Sequence, residues 1–153
     1  MCIRDRSFNQ LRNLSKIRKY LTRESSEIAV HAFITSKLDY CNSLLYGCRK
    51  TQLKKLQYVQ NTAARIVTQT RKFDHITPVL FDLHWLPVSY RIVFKIILLV
   101  FKSVNNLSPS YLADRLSDQS HSTVLRSAST QLLDQSQSIT KTYGDKAFSV
   151  CAP

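Results

Sequence analysis

Glycine is scarce in this chain, with 2 residues in a length of 153. Tight two-residue hairpins need residues that tolerate a positive φ, and glycine is the usual choice, so a fold built from many short hairpins is disfavoured. Two glycines also cannot build a glycine-rich phosphate-binding loop. The composition therefore disfavours a hairpin-rich all-β fold and excludes a glycine-rich nucleotide-binding loop.

Long apolar runs are missing too. The longest, Ile92 to Phe101, is interrupted by Lys95 and falls short of the roughly 20 residues that span a bilayer. No apolar run follows the basic start of the chain, so no signal peptide is visible. We therefore expect no membrane partner and no secretion.

Cysteine is too sparse for an extracellular disulfide framework, and no Cys-x-x-Cys pair occurs. Cys41 falls on an apolar helical face, where we expect a small buried thiol. A zinc set of Cys41, Cys48, His75 and His84 is an alternative, but its spacings match no known short motif. We expect no metal, no cofactor and a reduced, intracellular setting.

Acidic residues are few, with 10 against 22 Lys and Arg, which gives a net charge of +12. The excess is concentrated in two stretches, residues 1–23 and 49–72, whereas residues 24–48 are slightly acidic. Segregated positive charge attracts polyanions. A solvated helix face without a partner is an equally good interpretation.

The apolar spacing predicts an all-α fold, an irregular bundle of about five to six helices. We expect the first helix to begin at Ser7, in a capping box with Gln10. We expect Thr22 to cap the second helix. The predicted inward faces are Phe8, Leu11, Leu14, Ile17 and Leu21 in the first helix, and Ile28, Ala32, Ile34, Leu38, Cys41 and Leu45 in the second.

A third helix is predicted from Thr51, and a short fourth with Thr77 as cap and Pro78 at its first position. Their predicted inward residues are Leu53, Leu56, Val59, Ala63, Ile66 and Val67, and then Val79, Leu80 and Leu83. Between the fourth helix and the next, Trp85 is expected as a buried anchor.

A fifth helix is predicted from Pro87 to about Val104. Its centre is apolar nearly all round and is expected inside the bundle, with a β-strand as the alternative for this stretch. A short sixth helix, residues 110–116, follows a Ser108-Pro109 cap.

Three domain ranges follow from composition. Residues 1–6 fit nothing after them and are interpreted as a scar or a disordered terminus. Residues 7–116 form the helical domain. Residues 117–153 are interpreted as a Ser-, Thr- and Gln-rich loop with a truncated, poorly structured C-terminal segment.

Five stretches, in order along the chain, resemble parts of the polyproteins of non-LTR (LINE-type, jockey-like) retrotransposons. They are Leu38–Gly47, Leu56–Val67, Leu83–Val88 with Arg91 and Phe94–Ile96, Tyr111–Asp114, and Tyr143–Val150. The resemblance implies the thumb-like helical region that follows the fingers and palm of the reverse transcriptase. Cys48-Arg49 departs from the family's Leu-Pro, and the chain stops before the family's Trp-Asn segment.

The resemblance also implies a parent RNA-directed DNA polymerase, whose chemistry needs carboxylates that hold two divalent metals. No Asp-Asp pair occurs in this chain. Asp39, Asp74, Asp82 and Asp114 are scattered among separate predicted elements and are interpreted as solvated or capping groups. We therefore expect a non-catalytic fragment, not an enzyme, with no small-molecule substrate.

The supporting role that the resemblance implies is to hold template and primer, or the element's RNA. Phosphates would be contacted by basic residues, and Tyr58 would stack on a base. The alternative for Tyr58 is a place at the edge of the core. The basic candidates are Lys54, Lys55, Arg65, Arg71, Lys72, Arg12, Lys16 and Lys19. The expected partners are RNA or an RNA–DNA hybrid and the missing palm and fingers, in a cytoplasmic or nuclear ribonucleoprotein. A structural remnant without independent activity is the alternative.

Overall fold

The computed structural model describes residues 3–116, 133, 138, 140, 144 and 147–152. Within these residues the regular secondary structure is helical, which confirms the all-α prediction. Most of residues 117–153, which were predicted as a loop with a truncated C-terminal segment, lie outside the described residues. None of the described helices is long and apolar enough to cross a membrane.

The helices differ in length, and two of them are joined by a π turn, His31–Thr35. They are α1 (Ile3–Ile17), α2 (Arg23–Val30), α3 (Ser36–Asp39), α4 (Lys50–Thr68), α5 (Ile76–Asp82), α6 (Val88–Val104), α7 (Ser110–Ala113) and α8 (Phe148–Cys151). Short 3₁₀ turns occur at Arg18–Tyr20 and Asn42–Leu45.

The described residues fall into two compact units. The first comprises those within Met1–Asn42 and Cys48–Ile92, and the second those within Ser43–Gly47 and Val93–Pro153. Helices α1 to α5 and the start of α6 therefore belong to the first unit. The domain ranges predicted from composition stay predictions.

The core of the first unit is built by α1, α2, α3, α4 and α5. Its buried members are Leu11, Leu14, Val30, Ile34, Leu38, Val59, Ala63, Ala64, Val67, Leu80, Leu83 and Trp85. Trp85 is 5% exposed, and its ring centroid lies 5.4 Å from that of His31, nearly edge to face. The prediction of a buried tryptophan anchor is confirmed.

Two glutamines of α4 fix the start of α6. The Gln60 amide, 2% exposed, donates to the Leu86 carbonyl at 2.9 Å. The Val88 backbone N–H donates to Gln57 Oε1, also at 2.9 Å. Because the first amides of a helix have no partner inside it, the Gln57 contact satisfies a group that would otherwise be orphaned.

Arg91 ties the same segment to the end of α3. Its Nη1 donates to Asp39 Oδ2 at 2.8 Å, and its Nε donates to the Leu86 carbonyl at 2.7 Å. Together with the glutamine contacts, this pair brings three of the stretches quoted for the resemblance into direct contact. Those stretches therefore have a structural use in the first unit.

The predicted start of the first helix is wrong. α1 begins at Ile3, and Ser7 lies inside the helix with its side chain fully buried, so it cannot act as a cap. Leu11 and Leu14 point into the core as predicted, whereas Ile17 is exposed.

The cap of α2 is confirmed, but the predicted inward face is only partly right. Thr22 Oγ1 accepts from the Ser25 N–H at 3.1 Å. Ile28 is 70% exposed and Ala32 is exposed too. The buried apolar residues instead recur every four positions, at Val30, Ile34 and Leu38. Ile28 and Ala32 are each two residues from Val30, so helical geometry places them on the opposite side of the helix.

Cys41 is exposed, which contradicts the expected buried thiol. α3 ends at Asp39, and Cys41 has a φ of 50°, so the helical face does not continue through it.

In the second unit, burial raises the pKa of the Cys151 thiol above its ordinary value. That shift favours the neutral thiol, because a thiolate is poorly solvated when half-buried.

Smaller differences concern the later helices. α4 begins at Lys50, one residue before the predicted Thr51. α5 begins at Ile76, so Thr77 is a helical residue and not the cap. α7 covers only Ser110–Ala113 of the predicted 110–116. α6 runs nearly as predicted, but Val93, Phe94, Ile97 and Phe101 are exposed, so its expected burial on all sides is wrong.

Candidate nucleic-acid interface

α1 and α4 pack against each other through apolar side chains, among them Leu11 and Val59. An amphipathic helix that buries one stripe leaves its polar residues on the outer face. In the first unit, the outer faces of α1 and α4 form a shallow groove with two depressions. We call this the α1–α4 groove.

The first depression has a volume of about 510 Å³. It is lined by Asp5, Phe8, Asn9, Arg12, Lys54, Lys55 and Tyr58. Arg12, Lys54 and Lys55 are exposed, and their side chains have no hydrogen bond or ion pair with another residue of the described chain. Asp5 is the acidic residue of this lining, so the cations outnumber the carboxylate.

The second depression has a volume of about 570 Å³. It is lined by Ser15, Arg18, Tyr58, Thr62, Arg65, Ile66, Gln69, Thr70 and Lys72. The Arg18 guanidinium donates to the carbonyls of Ile66 at 2.9 Å and Val67 at 2.7 Å. It also donates to the Leu21 carbonyl at 2.7 Å. Arg18 thereby satisfies carbonyls in the last turn of α4, which have no partner inside the helix.

Arg65 is occupied in a similar way. Its Nη2 donates to the Asp74 carbonyl at 2.8 Å, and its Nε donates to the Arg71 carbonyl at 3.3 Å. The Asp74 carboxylate in turn accepts from the Arg71 backbone N–H at 3.0 Å. Arg65 therefore holds the loop that follows α4, while its side chain still lines the groove.

Tyr58 lines both depressions. Its ring lies beside that of Phe8, with centroids 5.7 Å apart and planes at 42°, and the residue is 57% exposed. Side chains spaced by three or four residues share one helix face, and α4 places Lys54, Tyr58, Thr62 and Arg65 in that way. From Lys54 to Arg65 this face extends over ~16 Å.

The remaining basic candidates lie outside this lining. Lys16 is exposed on α1, and Arg71 is exposed in the loop after α4. Lys19 places its Nζ 4.8 Å from the Tyr20 ring centroid. Of the predicted site residues, the structure therefore brings together Arg12, Lys54, Lys55, Tyr58, Arg65 and Lys72.

Several groove residues were not among the predicted site residues. Thr62 follows Tyr58 at helical spacing, so a search for polar residues on one face of α4 would have found it. Gln69 lies just after the helix, where its backbone is left-handed. Phe8 was predicted only as a core residue, yet it supports the Tyr58 ring. Arg18 was visible as a basic residue, but its contacts with α4 carry no sequence signal, because their acceptors lie 48 and 49 residues away.

No cluster of three or more His, Cys, Asp or Glu side chains placed to hold a metal ion occurs among the described residues. Comparison with known proteins gives no match to a protein-family model, a curated protein or a solved structure. What the groove can do therefore has to be argued from its own residues.

Proposed function

We propose that this chain is a non-catalytic fragment of a non-LTR retrotransposon reverse transcriptase that binds RNA or an RNA–DNA hybrid through the α1–α4 groove. The observation that carries the proposal is the first depression. There, Arg12, Lys54 and Lys55 lie around an exposed Tyr58 without ionic partners in the described chain. The parent family rests on the resemblance of the quoted sequence stretches.

Cations without partners are the groups that a phosphate backbone can use. A phosphate that approaches Lys54 or Lys55 does not have to displace an existing intramolecular ion pair. Binding of several such cations releases condensed counterions from the nucleic acid, and that release makes the affinity fall as salt rises. Since the groove residues come from stretches with a large basic excess, the long-range field also attracts a polyanion. In this proposal the chain acts inside the cell as part of a ribonucleoprotein.

The test is the affinity of the full chain for a fluorescent single-stranded RNA and for an RNA–DNA hybrid over a salt series. With three to five phosphate contacts, we expect a plot of log Kd for the RNA against log salt to have a slope of about 2 to 3.5. A double variant, Lys54→Ala with Lys55→Ala, should weaken RNA binding about 25-fold at about 0.1 M salt and lower the slope by about 1.4.

The matched control removes the same charge elsewhere, through Lys95→Ala with Lys102→Ala. Both lysines are exposed on α6, outside the groove lining. If the two double variants weaken binding equally, the groove is not the binding surface. If the unmodified chain binds neither nucleic acid at low salt, the proposed function is wrong.

A second candidate function is favoured by one observation in the second unit. Phe94, Ile97 and Phe101 of α6 are each more than half exposed. In this candidate the chain is a structural remnant that packed against the missing palm, and its uncovered apolar side chains promote self-association. Sedimentation over a concentration series tests it, and a monomer at all concentrations contradicts it.

A further inference from the structure

The α1–α4 groove has one exposed aromatic ring, Tyr58, in its lining, at the point that the two depressions share. One side of the ring is against Phe8, so its orientation is restrained. More than half of the residue remains accessible. A restrained ring with an open side is a platform on which a planar base can stack.

Cations lie on both sides of this ring. Arg12, Lys54 and Lys55 line the depression on one side of Tyr58, and Lys72 lines the other. The basic face of α4 extends ~16 Å from Lys54 to Arg65. A strand that keeps the stacked spacing of about 3.4 Å per nucleotide would place four or five nucleotides along this length, which lies at the small end of single-strand site sizes.

A duplex cannot use such a ring without losing its own stacking. Its bases are already stacked and paired, and extruding one base costs a few kcal/mol. An unpaired strand has free base faces, and stacking on aromatic side chains is tolerant of sequence. The hydroxyl and amide groups of Asn9, Ser15, Thr62, Gln69 and Thr70 also line the groove and can bond to exposed base edges or sugars.

We propose that the α1–α4 groove is selective for an unpaired polynucleotide strand, with one base stacked on Tyr58 between phosphates held on either side. This inference rests on the proposed function and narrows its ligand from RNA or hybrid to the unpaired strand. The shared chemistry is a flexible phosphate backbone with accessible base faces, whether the sugar is ribose or deoxyribose.

The first experiment uses the unmodified full chain and four labelled probes of 12 nucleotides. They are a mixed-sequence RNA, its DNA counterpart, an RNA–DNA hybrid of the same length, and an abasic DNA strand that keeps the phosphates. We expect the two single strands to bind about tenfold more tightly than the hybrid and the abasic strand, because only they offer a free base face. If the RNA and DNA single strands bind with equal affinity, the ribose hydroxyl has no role in binding. If the RNA binds more tightly, the hydroxyl contributes to the affinity.

The second experiment replaces the ring. Tyr58→Leu should lower the affinity for the single strands about tenfold. It should leave the affinities for the hybrid and the abasic strand within about twofold of those of the unmodified chain. Tyr58→Phe should keep the preference for single strands. Tyr90→Leu is the matched control, since Tyr90 is also exposed and lies outside the groove lining. A variant that fails to fold would lose affinity for all four probes alike. The ratio of its affinities for single strand and hybrid therefore distinguishes lost stacking from lost stability.

The outcomes separate the two proposals. Steep salt-dependent binding with equal affinity for single strand, abasic strand and hybrid overturns the selectivity and leaves the proposed function standing. A Tyr58→Leu variant that keeps the single-strand preference overturns the role of the ring. Absence of binding to every probe overturns both proposals.

Discussion

Both depressions of the α1–α4 groove are lined by three basic side chains, and the two sets differ in what they already bind. Arg18 and Arg65 of the second depression donate to backbone carbonyls in the last turn of α4 and in the loop after it. Arg12 and the two lysines of the first depression have no such partners in the described chain.

The comparison teaches that positive charge in a groove is not a measure of binding capacity. A guanidinium that satisfies buried or half-buried carbonyls is part of the fold, and a phosphate can recruit it only in competition with those carbonyls. An ammonium surrounded by water loses nothing comparable when a phosphate arrives. Substitutions of Arg18 and Arg65 should therefore change stability, and those of the basic residues in the first depression should change affinity.

The largest expected effect is that of Arg18→Ala. The substitution leaves the carbonyls of Ile66 and Val67 without their charged donor, and we expect the free energy of unfolding to fall by about 2 kcal/mol. Urea denaturation measures it. Arg23→Ala is the control, because its ion pair with Asp82 is exposed and such pairs contribute little. Equal losses in the two variants would mean that Arg18 does not brace α4.

A smaller effect is expected at Arg65, where two substitutions sharpen the comparison. Arg65→Ala should lower the free energy of unfolding by about 1.5 kcal/mol, because two carbonyls lose their donor. Arg65→Lys should lower it by a similar amount, because the lysine ammonium lacks the planar guanidinium that donates to both carbonyls. The slope of RNA affinity against salt should stay nearly unchanged in both. If the salt slope falls in Arg65→Ala but not in Arg65→Lys, Arg65 contacts a phosphate instead.

The smallest effect is expected for Arg12→Ala, in the first depression. One phosphate contact fewer should weaken RNA binding about fivefold at about 0.1 M salt and lower the salt slope by about 0.7. Thermal unfolding should not change, because Arg12 has no partner in the described chain. Lys16→Ala on the same helix should alter binding less than twofold, and an equal loss there would indicate attraction by general charge only.

Local patterns were sufficient for much of the fold. Periodic apolar residues located α4 and α6 to within a residue at their starts, and Thr22 was correctly identified as a cap. Two errors concern the second predicted face. Ile28 lies two residues before Val30 and therefore on the opposite side of a regular helix, so its exposure follows from helical geometry. The left-handed backbone at Cys41 ended the face that had been extended through it.

Most of the basic residues of the candidate site were predictable from the sequence, whereas the role of each residue was less so. The basic residues of α4 were visible because they are neighbours in sequence. That Arg12 would join Lys54 and Lys55 depends on the packing of α1 against α4, which no local spacing encodes. The bracing role of Arg18 was hidden for the same reason, since a guanidinium and its acceptor carbonyls are related only through the tertiary fold.

The bond from Val88 to Gln57 has a consequence for hydrogen exchange. The first amides of a helix usually exchange with solvent quickly, because no carbonyl inside the helix protects them. The Val88 amide is instead protected by a side chain of another helix. Its exchange rate therefore measures how often the start of α6 separates from α4, and a single backbone proton reports that local opening in the unlabelled protein.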